Sequence, residues 1–87
     1  MSNYGTVNFE GKTYKLTGEA DFTNRLLEGR YKNYTDASEG DKYDAEFSAP
    51  AVDNEGNEVT VYWMFEFVKG DEPELDSLNW KDVARIV

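Results

Sequence analysis

The feature that most constrains this chain is a double alternation between Tyr43 and Phe67. Tyr43, Ala45, Phe47, Ala49 and Ala51 alternate with Asp44, Glu46, Ser48 and Pro50; Val59, Val61, Trp63, Phe65 and Phe67 alternate with Thr60, Tyr62, Met64 and Glu66. Side chains of a strand alternate between faces, so two such runs around a turn make an antiparallel hairpin with one apolar face. A three-residue loop, Asn54-Glu55-Gly56 with Gly56 left-handed, pairs Phe47 with Trp63, Ala45 with Phe65 and Ala49 with Val61. A two-residue loop shifts the register by one and sets the faces in conflict. Small residues opposite large ones leave room for a helix across this face. The outer face of the return strand, with Thr60, Tyr62 and Met64, predicts a central strand, while Pro50 points to an edge on its own strand. Asp44 falls opposite Glu66, which demands fraying or a nearby base.

A second hairpin precedes it. Thr6 to Phe9 and Lys12 to Leu16 alternate across Glu10-Gly11, placing Val7, Phe9, Tyr14 and Leu16 on one face. From Thr17 to Gly29 the spacing predicts a helix of about three turns. Thr17 serves as its N-cap, Glu19 and Asp21 favour its first turn, and Gly29 stops it. Arg30 to Tyr34 reads as a short strand or an extended linker, and Thr35 to Lys42 as a polar loop. Gly70 to Asp76 is an acidic loop. Trp80, Val83, Ala84 and Val87 fit helical spacing, but the closing β-branched run favours a strand from Val83. The expected fold is α+β in a single domain over residues 1–87. It comprises an antiparallel sheet of four to five strands (two hairpins plus a C-terminal strand) with one short helix on one face.

Composition excludes whole chemistries. No Cys and no His among 87 residues removes thiol nucleophiles, disulfides, imidazole bases and the usual transition-metal sites. Paired carboxylates such as Asp44 and Glu46 remain, but catalysis needs a cleft that desolvates one of them, which a chain this short seldom builds beside a core. Asp53-Asn54-Glu55-Gly56-Asn57-Glu58 fails the calcium-loop pattern, because the residue six after Gly56 is Tyr62. Neither enzymatic activity nor a cofactor is expected. Met1 to Tyr4 leads into no apolar run, and no segment has the length of a membrane span, so the chain reads as cytoplasmic.

The net charge of −9 is unevenly placed. Residues 1–34 carry five basic and four acidic side chains; residues 35–87 carry four basic and fourteen acidic ones. Nucleic acid and anionic membranes are therefore repelled, and a basic protein surface is attracted. The acids expected at such an interface are Asp44 and Glu46 on one strand, Asp53, Glu55 and Glu58 at the hairpin tip, and Asp71, Glu72, Glu74 and Asp76 in the following loop. Tyr62 and Met64 are the candidate apolar contacts, and the competing reading is a structural or assembly module, such as a homodimer, that associates through a sheet edge or this Tyr62–Met64 face. Acidity that serves only solubility is the simplest alternative.

Gly11-Lys12-Thr13-Tyr14-Lys15-Leu16-Thr17, then Val52 to Val59, Trp63, and Asn79-Trp80-Lys81-Asp82 together resemble small acidic orphan proteins of phages and mobile elements. Asn79 stands where that group usually has Asp, and the segment from Arg30 to Lys42 is longer. The resemblance implies a phage accessory gene acting in the host cytoplasm. The expected function is that of a non-enzymatic inhibitor, of anti-CRISPR or anti-restriction type. Such a nucleic-acid mimic occupies a basic site on a host defence protein.

Overall fold

The computed structural model describes residues 4–72, 74 and 78–87. Its strands are β1 (Thr6–Phe9), β2 (Lys12–Leu16), β3 (Asp21–Phe22), β4 (Lys42–Val52), β5 (Glu58–Val68) and β6 (Arg85–Ile86), with a 3-10 turn at Tyr34–Asp36. All pair antiparallel in one sheet of order β1-β2-β4-β5-β6, and β3 also lies on β4.

The long hairpin follows from its alternation. Phe47 pairs with Trp63, Ala45 with Phe65 and Ala49 with Val61. At the tip the Asp53 N–H donates to the Asn57 carbonyl, closing three residues, and Gly56 takes φ 83°. Only glycine enters that region without strain. The first hairpin likewise pairs Val7 with Tyr14 and Phe9 with Lys12, with Glu10 and Gly11 both at positive φ as a tight primed turn requires.

The core lies on one face of the sheet. Trp63 and Val61 are fully buried and Phe47 is 1 % exposed. Burial of Phe47 and Val61 is worth roughly 1.5–3 kcal/mol apiece. Trp80, not a helix, packs against this face. Its ring stands edge-on to Phe47, Trp63 and Phe65 at 5.2, 5.2 and 4.9 Å, and its carbonyl accepts the Trp63 indole N–H.

No α-helix exists among the described residues, so the expected helix over 17–29 is corrected. The segment is β3 followed by a loop. Its mixture of Gly, Thr, Asp, Asn and Phe favours helix only weakly, and about twelve residues make a marginal helix in any case. Meanwhile β4 offers an edge whose backbone groups need partners. Leu16 pairs with Ala51 and Asp21 with Ser48, so the incoming chain carries two residues more than β4 does between those points. That bulge stands opposite Pro50, whose carbonyl accepts the Thr17 N–H. Pro50 has no N–H to offer there. Its strand is thus internal, and only the ladder beside it is interrupted. β5 is flanked by β4 and, around Val61 and Tyr62, by β6. The C-terminal strand is present at Arg85–Ile86, slightly later than its expected start.

Candidate functional site

The expected interface residues divide between different places. Along β4, ten steps of roughly 3.3 Å separate its ends by about 33 Å, and the molecule is 44 Å long. Glu55 and Glu58 lie exposed at the hairpin tip. Asp53 lies there too, but its carboxylate is spent on the turn. The Asn57 side-chain amide, its backbone N–H and the Glu55 N–H hold it below the ordinary carboxylate range.

Glu46 is not a surface acid. It is 6 % exposed, although it lies on the face opposite the core. The Arg25 guanidinium grips it through two bonds, Nε to Oε1 and Nη2 to Oε2 at 2.5 and 2.7 Å. The Thr23 hydroxyl donates at 3.0 Å, and Arg85 Nη2 approaches at 3.5 Å. Arg25 foremost, helped by Thr23 and Arg85, holds the Glu46 carboxyl below its usual range against the opposing effect of burial. Tyr62 is half-buried with the Arg85 guanidinium 4.2 Å over its ring, and Met64 is half-buried beside it.

At the other end of the sheet the acids converge. The register of β4 with β5 continues beyond Lys42 and Val68, because the Lys69 N–H donates to Asp41 and the Gly40 N–H to Lys69. The loop before β4 and the loop after β5 therefore meet. Asp36, Glu39 and Asp41 before β4, Asp71, Glu72 and Glu74 after β5, and Asp44 and Glu66 on the adjoining ends of those strands belong to this end, against Lys32, Lys42 and Lys69. Asp76 lies outside the described residues. Asp36, Glu39, Asp41 and Glu66 were missing from the expected interface, although extending the hairpin register by one pair already sets Asp41 opposite Lys69.

The opposed carboxylates of Asp44 and Glu66 are each given a separate donor. Lys42 Nζ lies 3.5 Å from Glu66 Oε1, and the Lys32 backbone N–H donates to Asp44 Oδ2 at 2.9 Å. Lys32 Nζ lies 3.5 Å from Asp41 Oδ2, but it is the Ser38 N–H first and Lys32 second that lower the Asp41 carboxyl.

Next to this end lies a cleft of about 410 Å³. Phe22, Leu26 and Tyr34 form its apolar walls, and Asp44 and the Arg25–Glu46 pair line it as well. Tyr43, edge-on to Tyr34 at 4.9 Å, lines it too, and burial raises its phenol above the ordinary value. Sequence reasoning missed this cleft because it depends on the loop that replaces the expected helix. No helix among the described residues is long and apolar enough to cross a membrane. Comparison with protein-family models, curated proteins and solved structures found no match.

Proposed function

We propose that this protein is a non-enzymatic binding protein that presents the acidic end of its sheet to a basic site on a partner protein. The observation that carries this reading is the convergence of eight acidic side chains and only three lysines where β4 begins and β5 ends. Charge of one sign gathered on one end raises the encounter rate with an oppositely charged surface and suppresses other partners. A basic groove built for nucleic acid is the surface that best complements it. With the resemblance to phage and mobile-element proteins, this makes an inhibitor of a host defence nuclease, of anti-CRISPR or anti-restriction type, the specific form of the proposal.

The test is capture of partners from a host lysate at stepped salt, comparing two charge reversals. Glu66→Lys, Asp71→Lys and Glu72→Lys together should abolish capture at about physiological ionic strength, where screening over about 8 Å still leaves close charges coupled. Glu55→Lys with Glu58→Lys, at the tip, should leave it nearly intact, and duplex DNA should displace the captured protein. Equal retention by both reversed proteins overturns the proposal.

One observation favours a second reading, that of an assembly module. Among the described residues, the backbone groups of Met64 and Glu66 point to the side of β5 that β6 covers only around Thr60 to Tyr62. An open edge of this kind is a template for another strand. A tight homodimer whose sedimentation is insensitive to salt would favour that reading.

A further inference from the structure

The chain leaves the edge of β4 and returns to it within a few residues. The Thr23 N–H donates to the Glu46 carbonyl, and the Lys32 carbonyl accepts the Asp44 N–H, so residues 24–31 bulge out from two neighbouring anchor points. The Asn33 side chain clamps the bulge shut by accepting the Leu27 N–H and donating to the Leu27 carbonyl. Compact loops closed at the neck in this way hold their shape and often carry binding residues. The cleft beside this loop therefore has walls fixed by backbone and side-chain bonds.

Its chemistry is selective. Phe22, Leu26 and Tyr34 are 40, 73 and 53 % exposed, and these are three of the five large apolar residues left exposed among the described residues. That concentration marks a contact surface, since exposed apolar side chains are ordinarily scattered. Asp44 supplies the polar group: Oδ2 is engaged by the Lys32 amide, and Oδ1 has no protein donor among the described residues. Arg25 is neutralised by Glu46, so the lining carries one net negative charge. The Lys69 ammonium stands 4.3 Å over one face of the Tyr34 ring, held by the Tyr34 and Ala37 carbonyls, so a second cation would have to use the other face.

We infer that this cleft receives an arginine side chain of the basic partner. The inference rests on the reading of the protein as a binder of basic surfaces. A guanidinium is planar, stacks on aromatic rings and donates to a carboxylate, while its methylene stem packs on apolar walls. An ammonium carries the same charge without the plane. A neutral apolar group would bury the Asp44 oxygen without a partner. Asp44 belongs both to the cleft and to the acidic end, so attraction over a distance and anchoring at close range act on the same partner.

The test uses two acetylated, amidated peptides of equal length and charge, with either arginine or lysine alternating with glycine, titrated into the ¹⁵N-labelled protein. The arginine peptide should bind at least about five-fold tighter and shift the amides of Leu26, Thr35 and Asp44. Asp44→Asn, whose side-chain oxygen can still accept the Lys32 amide, and Leu26→Ser, at an exposed position, should each remove the arginine preference. Equal affinity for the two peptides, or shifts confined to residues 66–72, overturns the cleft while leaving the acidic interface standing. Failure of both peptides at low salt overturns both readings.

Discussion

At the scale of single residues, Glu46 repays the closest attention. A carboxylate removed from water is costly unless its lone pairs are filled, and Arg25, Thr23 and Arg85 fill them. Truncation to alanine would remove the charge-assisted bonds from Arg25 and the Thr23 bond and should cost about 1–2 kcal/mol, measured by urea unfolding. The pH dependence has a definite sign. Because the folded carboxyl is held below its ordinary value near 4.5, its contribution is complete above that value and is lost as pH falls through the folded pKa. Melting temperatures of Glu46→Gln should therefore fall less steeply than those of the native chain as pH drops below about 4.5, with the two curves parallel near neutrality. Parallel curves throughout would show that other carboxylates, such as Asp53, govern the acid limb.

At the scale of elements, the two hairpins were legible because their information is local. Alternation sets the face, Glu10-Gly11 and Gly56 set the turns, and a one-residue slip would expose Trp63 and Phe47 together. The segment from Thr17 to Gly29 was not legible, because its partner is remote. Phe22 and Leu26 lie at helical spacing, yet Phe22 packs on Phe47 at 4.2 Å and Leu26 faces outward. Nothing within the segment states that β4 has an edge to fill. Glu46 was misplaced for the same reason, since its alternation marks an outward face and it is covered by Arg25 and Thr23 of the remodelled segment and by Arg85 of the last strand.

The bulge opposite Pro50 makes the element-scale claim testable. A Cβ added to Gly18 would stand 2.6 Å from Pro50 Cγ, closer than atoms tolerate. Gly18→Ala should destabilise the protein by about 1–3 kcal/mol through overpacking. In Pro50→Ala the same change should cost much less. A double-mutant cycle over urea unfolding reads the coupling, and additive effects would show that the close approach is not what demands glycine.

At the scale of the whole molecule, charge opposes the fold that carries it. Most of the fourteen acids of the second part of the chain gather at the two ends of one hairpin, where like charges repel. Added sodium chloride should therefore raise the melting temperature. Glu72→Lys should raise it at low salt and bring less gain at high salt, as scanning calorimetry over an ionic-strength series would register. A native chain whose melting point falls with salt would instead place its electrostatic balance in its ion pairs. The candidate site was legible at this scale only as a sign of charge and a stretch of sequence. The joining of Asp36 and Glu39 to the acidic end was hidden because it depends on the course of the loop before β4, whereas Asp41 follows from extending the register by one pair.

The anchoring of residues 24–31 also has a consequence in time. The β4–β5 ladder closes around a three-residue turn and needs no other part of the chain, so its entropic barrier to formation is low. The loop requires Glu46 and Asp44 already aligned, and its neck bonds span 23 and 12 positions in sequence. Its formation is thus expected to follow that of the ladder, and its rare local opening would act as a shutter on an assembled sheet. A partner that seats a side chain beside that loop would hold the shutter closed, and its residence would be written in the slowed exchange of the Thr23 and Asp44 amide protons.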